Sequence, residues 1–331
     1  MSRQPTSHKP SRGKAGTLCI SSHQAGQRID NFLLKHFKGV PKSHLYRLLR
    51  SGQVRVNSGR IKPDYRIQEG DNIRIPPLRY NDSDDATVPE TVLKKLKDAI
   101  IYEDKGLICI NKPAGIAVHK GSGLRFGVIE AFRQLRPDQP IELVHRLDRD
   151  TSGCLLLAKD RDTLNRCHEL LRQEKISHIR KTYIALLHGH WDESIRTIDI
   201  GISKVKRSGE HIMQSDEAGD RAVSHFELLE KFDGELPCSL MQVVIETGRT
   251  HQIRVHSRYA GHPIIGDSRY GDKAANKAHR EQGLRRLMLH ARSLYLPPLN
   301  SASDTPISIE APLESEFASY IDQLRDHSKQ T

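Results

Sequence analysis

The sequence predicts an α+β protein in two parts: a small basic module of helices and hairpins, then a larger domain built on a mixed, mainly antiparallel sheet flanked by helices and loops. Three observations predict it. At 331 residues the chain is long enough for more than one core. Its basic residues are concentrated at the front: residues 1–80 hold 16 Lys+Arg against 4 Asp+Glu, and totals of 52 and 41 leave 36 against 37 for the rest. Beyond residue 95, short apolar runs follow one another with turn residues between them, the pattern of paired strands and not of a regular βαβ array.

The first 16 residues, MSRQPTSHKPSRGKAG, lack the apolar stretch of a secretory leader and read as a disordered basic arm, so a cytoplasmic location is expected. A module over residues 17–77 follows. In RIDNFLLKHFKG, Ile29, Phe32, Leu33 and Phe37 recur at helical spacing, and Gly39 and Pro41 end the run. KSHLYRLLRSG predicts a second helix that buries Leu45, Leu48 and Leu49, turns Lys42, Arg47 and Arg50 outward, and stops at Gly52. QVRVNSGRIKP alternates about an NSG turn and YRIQEGDNIRIPP about EGD, so both read as hairpins. A basic module ahead of a near-neutral body is the electrostatic footprint of polyanion binding. NDSDDATVPE is acidic and carries a proline, which makes residues 78–95 a linker. Residues 96–331 form the larger domain. IIYED, GLICINKPAG, CLLLAKD, KTYIALLHG, SLMQVVIE and LMLHARSLYL read as strands, RDTLNRCHELLRQEK as a helix, and Phe317, Tyr320, Ile321 and Leu324 as one face of a C-terminal helix docked on the body.

Several chemistries lack support. No apolar run approaches the ~20 residues that cross a bilayer. The five cysteines are scattered and form no CxxC, so neither structural zinc nor a disulfide framework is expected, and Cys109 and Cys154 read as small buried hydrophobes. GSGLRFG misses the spacing of a dinucleotide loop, and no phosphate-cradling GxxxxGK[ST] is present. In HQIRVH, His251 and His256 are five residues apart, on opposite faces of a strand and far apart around a helix. His188 and His190 have no neighbouring Cys or carboxylate cluster. No metal site is predicted.

Charge inside apolar surroundings is concentrated in three segments: HRLDRDTSGCLLLAK (145–159), RKTYIALLHG (180–189) and ETGRTHQIRVHSRYAGHPIIGD (246–267). In the first, a polar loop delivers Asp148 just before an apolar strand, so the carboxylate stands on a loop anchored to a rigid core. Asp150 reads as a turn-shaping neighbour of Thr151, Ser152 and Gly153. A glycosidase pair of Asp148 and Asp150 is a rival reading, but nothing fixes their separation and it leaves the basic module unexplained.

RIDNFL, KSHLYRLLRSGQVRVNSGRI and EGDNIRI together resemble the S4 RNA-binding domain over most of residues 25–76. That resemblance implies a binding face of Lys42, Ser43, Arg47, Arg50, Arg55 and Asn57, holding phosphates of structured RNA with little base readout. HRLDRDTSG, with KPAGIAVHKG before it and GRTHQIRVH after it, resembles the RluA family of pseudouridine synthases over roughly residues 100–312. The resemblance implies isomerisation of uridine to pseudouridine within RNA, with no cofactor and no metal. The N1–C1′ bond breaks, the uracil turns, and C5 joins C1′. It implies that Asp148 is the required carboxylate, a nucleophile at C1′ or a base at C2′. Arg254 matches its salt-bridge partner, since a carboxylate in a partly dry pocket stays ionised only beside a compensating cation. Tyr183 matches the tyrosine that lies against the target base and relays the proton leaving C5, and Arg146 the arginine that assists base flipping. Lys112, Pro113 and His145 read as framework; Thr250, His251 and Gln252 as support. The strings KGVPKS, RIKP and FGVIE, with an S4 module in front, are similar to members that act at several uridines of large-subunit (23S) rRNA, free or in an assembly intermediate, and a monomer is expected. Where relatives often carry an HP pair near the C-terminus, this chain has LPPLNSASDTP. The competing class is a non-catalytic rRNA-binding or ribosome-assembly protein with the same fold. Such a protein would be expected to have lost Asp148, Tyr183 or Arg254.

Overall fold

A computed structural model describes residues 15–37, 40, 42–78, 87–120, 126–174, 179–207, 210–299 and 305–328. The chain divides into two compact units, Met1–Thr87 and Val88–Thr331. Both combine helices with sheet, the α+β class expected.

The first unit runs β1 (Gly16–Cys19), α1 (Ile29–His36), α2 (Lys42–Arg50), β2 (Arg55–Val56), β3 (Gly59–Arg60) and β4 (Asn72–Ile75), with the strands in the order β1-β4-β2-β3. Ile29, Phe32 and Leu33 of α1 and Leu45, Leu48 and Leu49 of α2 form one buried cluster with Val54, Val56, Ile73 and Ile75. The β2–β3 turn places Asn57 at φ 48° and Ser58 at φ 69°. Two consecutive positive φ values match the twist of a tight hairpin, and asparagine tolerates that region well.

Three sequence expectations change here. The strand reading of Tyr65–Gln68 fails: the segment holds only an isolated bridge, Arg66 to Arg28. The reason is Asp71, whose carboxylate accepts from the Tyr65 hydroxyl (3.0 Å), the Gln68 N–H (2.8 Å) and the Asn57 amide (2.8 Å), curling the chain around one anion. The arm expected to be disordered through residue 16 meets strand β1 at Gly16, and residues 1–14 lie outside the described ones. The linker expected over 78–95 is shorter, because α3 (Glu90–Asp98) starts behind Pro89 and buries Leu93 and Leu96, while Leu78 is buried in the first unit. Gly39 and Pro41, residues 79–86, most of GSGLRFG and residues 300–304 of LPPLNSASDTP lie outside the described residues.

The second unit continues β5 (Ile100–Glu103), β6 (Leu107–Lys112), α4 (Val128–Leu135), β7 (Glu142–Leu143), β8 (Ser152–Ala158), α5 (Arg161–Arg172), β9 (Arg180–His188) and β10 (Thr197–Asp199). Then come β11 (Ile202–Arg207), β12 (Glu210–Ser215), β13 (Val223–Phe232), β14 (Cys238–Ile245), α6 (Gln252–Tyr259), α7 (Lys273–Glu281), β15 (Leu289–Leu296), β16 (Ile307–Glu310) and α8 (Ser315–Ser328). The main sheet has the order β10-β13-β14-β9-β15-β8-β6-β5, with β16 on β15 and β7 on β8; β11 and β12 form a separate hairpin. Among the described pairings of the main sheet only β8 with β15 is parallel. Every residue of β8 is buried, which explains the uninterrupted apolar CLLLA. Phe317, Tyr320, Ile321 and Leu324 of α8 join the same core.

The parallel contact is confined to the start of β8, where Ser152 faces His290 and Gly153 faces Ala291. Gly153 has φ 107°, and a Cβ there would come within 2.2 Å of the Ala291 carbonyl oxygen. Glycine is therefore required at this point, and the loop carrying Asp148 is tied to the sheet centre immediately after its last turn.

Candidate active site

The loop from Val144 to Thr151 connects β7 to β8. Lys112, fully buried at the end of β6, donates from Nζ to the carbonyls of Pro113 (2.9 Å), Ile116 (2.9 Å) and Arg149 (3.0 Å). Burial pulls this amine down to about 7, against the charges of Glu314, Asp150 and Asp148. One side chain thus pins the Asp148 loop to the segment after β6. His145 accepts the Leu156 N–H at Nε2 (3.2 Å), and loss of water around the ring, with the charge of Lys181, lowers its pKa to about 4, so the ring is neutral at pH 7. Ser152 closes the loop, its hydroxyl bonding His290 Nδ1 (2.8 Å) and accepting from Arg286 (2.6 Å).

Of the strand and helix geometries open to HQIRVH, the structure has the helix, from Gln252 onward. His251 adopts a left-handed conformation (φ 57°, ψ 22°) and α6 begins at the next residue. Gln252 braces that start: its carbonyl accepts from the Thr247 hydroxyl (2.7 Å) and the Arg249 N–H (3.0 Å), and its amide donates to the Val223 carbonyl (2.9 Å) and Ser224 Oγ (3.0 Å). His256 is buried one turn on against Ser224 and the Ile200 carbonyl, away from His251.

Arg254 organises the site. Nη1 donates to Asp148 Oδ2 (3.1 Å), while Nε and Nη2 grip both oxygens of Asp267 (2.7 and 2.8 Å). The guanidinium also lies 5.0 Å from the centre of the Tyr270 ring. Arg254 is 7% exposed, Asp267 0% and Asp148 24%, so the pair is buried and the third group reaches open space. Burial alone lowers the arginine's pKa, but hydrogen bonding and charge from Asp267, then Asp148, raise it overall. Burial likewise raises Asp267, yet Arg254 and the N–H groups of Tyr270 and Arg269 bring it below the ordinary carboxylate value. Asp267 is the residue that sequence reading missed.

Asp148, Arg254, Tyr183 and Arg146 line one cavity of about 800 Å³, together with Lys181 and Ile245. Tyr183 comes from β9, and burial, then the charge of Asp148, push its phenol upward. Lys181, two residues earlier on the same strand, is buried and lowered to about 8 by burial, which Glu174 opposes and Arg249 reinforces. Arg146 is exposed at this cavity. Asp150 instead pairs with Arg149 (2.9 Å) and does not line the cavity. Thr250 is exposed, and His251 Nε2 faces Asp148 Oδ2 at 3.7 Å. Among the described residues no group of three or more His, Cys, Asp or Glu is arranged to hold a metal ion.

In the first unit, Ser43, Arg47 and Arg50 are exposed on α2 and Arg55 is half-buried. Arg47 contacts His44 Nδ1 (2.9 Å) and Arg50 donates to the Tyr46 carbonyl (3.3 Å), leaving most of both guanidinium forks for other partners. The Lys42 side chain lies outside the described residues. Asn57 is exposed at the β2–β3 turn, and its side chain also braces the hairpin: its amide donates to Asp71 and its carbonyl accepts the Asn72 N–H (2.9 Å).

Residues 106–259 match the family model described as RNA pseudouridylate synthase, and residues 27–73 match the S4 domain model. The chain is 47% identical over 314 residues to "Ribosomal large subunit pseudouridine synthase C" of Haemophilus influenzae, covering 93% of this chain and 95% of the relative. It is 44% identical over 315 residues to the protein of the same name from Escherichia coli, covering 93% and 96%. Among solved structures it is similar to "Human RNA Pseudouridylate Synthase Domain Containing 4", with a TM-score of 0.56 and 27% identity over 71% of this chain and 96% of that one.

Proposed function

The chain belongs to the RNA pseudouridylate synthase family, and from that premise we propose that it converts uridines of large-subunit (23S) rRNA to pseudouridine, with Asp148 as the reacting carboxylate. The observation that carries the residue assignment is the Asp148–Arg254–Asp267 array. A fully buried acid holds two nitrogens of the guanidinium, Nε and Nη2, and the third, Nη1, holds Asp148 at the cavity. Without Asp267, Arg254 would be a buried cation balanced only by the group that must react. With it, the cation is already compensated, and Asp148 is oriented without being sequestered.

A uridine stacked in folded RNA reaches such a cavity only by turning out of its helix, at a cost of a few kcal/mol. Arg146, exposed at the cavity, offers a planar cation to the vacated place or to the flipped phosphate. Once the nucleotide is inside, Asp148 acts at C1′ as nucleophile or at C2′ as base. The N1–C1′ bond breaks, the uracil turns, C5 bonds to C1′, and the C5 proton leaves. Tyr183 provides a flat wall for the turning base. Its raised pKa keeps it a phenol, so it relays a proton through a neutral hydroxyl and not as a phenolate.

The S4 unit contributes affinity through phosphate contacts from Ser43, Arg47, Arg50 and Arg55. We infer that the enzyme works as a cytoplasmic monomer on rRNA or on an assembly intermediate. Carbodiimide-based primer extension on 23S rRNA from cells with and without the gene tests the reading. Pseudouridine stops that vanish with the gene support it, and an unchanged stop pattern favours a non-catalytic rRNA-binding protein.

A further inference from the structure

Behind Asp148 lies a second set of contacts that the reaction scheme leaves unused. Tyr270 is buried with Ile202, Val255 and Met213, between α6 and the β11–β12 hairpin. Its hydroxyl receives the backbone N–H of Met213 (3.1 Å) and lies 2.7 Å from His251 Nδ1. The other ring nitrogen of His251, Nε2, faces Asp148 Oδ2 at 3.7 Å.

The protons in this chain follow from donor counting. The Met213 N–H can only donate, so it occupies a lone pair of the phenol oxygen. The single phenolic proton then points to Nδ1, its acceptor among the described residues. His251 is neutral at pH 7. Burial lowers its pKa from the ordinary 6.5, the charge of Asp148 opposes this, Arg254 and Arg269 lower it further, and Asp267 opposes. A neutral imidazole that accepts at Nδ1 carries its proton on Nε2, the nitrogen facing the carboxylate. At 3.7 Å this N–H is an oriented dipole and not a formed hydrogen bond, and such catalytic contacts tighten when substrate binds. Arg254 and His251 both address Oδ2 of Asp148, which leaves Oδ1 for the nucleoside.

We propose that Tyr270 and His251 are positioning residues that fix an Nε2–H toward Oδ2 of Asp148, making Oδ1 the reacting oxygen. The orientation of the carboxylate then depends on how the β11–β12 hairpin seats, because the relay starts at its Met213 backbone. This proposal rests on Asp148 being the reacting carboxylate.

The test uses full-length Tyr270→Phe, His251→Asn and Asp148→Asn proteins with a 23S rRNA transcript labelled with tritium at uridine C5. Single-turnover tritium release is measured across the acid range, alongside the transcript Kd. Tyr270→Phe keeps the ring against Arg254 and removes the hydroxyl; its rate constant should fall about tenfold, equivalent to about 1.4 kcal/mol of barrier, with Kd changed by less than about twofold. With the phenol gone, Nδ1 protonates more readily, so an acid limb set by His251 should move up toward 6.5. Groups facing this imidazole are Asp148, Asp267, Arg254, Arg269 and Tyr270, and the variant alters only the last. His251→Asn tolerates the positive φ but is too short to face Oδ2, so it should lose both rate and that limb. If Tyr270 serves only to hold the hairpin, affinity or melting temperature will change while the limb stays in place, which overturns the proposal. Wild-type rates in both folded variants, with Asp148→Asn inactive, overturn it equally. Turnover by Asp148→Asn instead overturns the underlying reading.

Discussion

Replacing Asp267 with Asn should unfold the second unit more easily and slow the reaction, although Asp267 does not line the cavity. The carboxylate accepts Nε and Nη2 of Arg254 and the N–H groups of Arg269 and Tyr270 (both 2.9 Å). An amide of the same shape keeps one acceptor oxygen, turns an N–H₂ toward donors, and removes the charge that balances a guanidinium only 7% exposed. Breaking a buried pair in this way costs about 3–5 kcal/mol. At about 2–4 °C per kcal/mol for a unit of this size, melting should fall by roughly 6–20 °C. The chain's single tryptophan, Trp191, is buried in the second unit, so its fluorescence reports on the right unfolding event. The acid side carries a second check. The Asp267 pKa lies below the ordinary 3.8 in the folded state, so its stabilisation is complete above about that pH and is lost as pH falls through the lower folded value. The stability gap between parent and variant should therefore close in strong acid. A variant within about 1 kcal/mol of the parent at neutral pH, turning over at the parental rate, would refute this account of Arg254.

Lys112→Met removes the Nζ donor from the carbonyls of Pro113, Ile116 and Arg149, of which only Arg149's keeps another donor among the described residues, the Gly115 N–H. A buried carbonyl left unpaired costs about 1–3 kcal/mol, so the change should lower both the Trp191 melting temperature and the single-turnover rate. Tyr183→Phe keeps the flat wall and loses the hydroxyl; tritium release from C5 should slow with transcript Kd unchanged. Arg47→Ala with Arg50→Ala should weaken RNA binding and reduce the slope of log K against log salt by about 1–2, read by filter binding across a salt series, while the Trp191 melt stays put.

Both helices of the first unit, α5, α8 and the strands β5, β6, β8, β9, β14 and β15 were legible as apolar runs or apolar residues at helical spacing, whereas β1, β7, β10 to β13, β16, α4 and α7 were not read from the sequence. Asp148 stood out as a carboxylate between arginines on a loop that runs into CLLLA. Other features were hidden for identifiable reasons. HQIRVH alternates polar and apolar residues, which mimics a strand, and only the left-handed His251 reveals the helix start. Tyr65–Gln68 also alternates, but Asp71 collects its polar groups and bends it. The helix at Glu90–Asp98 was masked by the acidic, proline-bearing stretch before it. Asp267 was available by counting: a buried guanidinium has five donors, more than one carboxylate takes, and the acid closing GHPIIGD sits in an apolar run downstream of Arg254. Tyr270 could not be reached that way, since its partners are a backbone N–H on a distant hairpin and one nitrogen of a histidine.

The most direct measurement is single-turnover tritium release by purified Asp148→Asn, with RNA affinity determined on the same preparation. The account predicts that release is abolished while Kd stays within about threefold, because phosphate contacts dominate binding. Release at a parental rate by a folded Asp148→Asn protein would contradict the assignment of Asp148 as the reacting group.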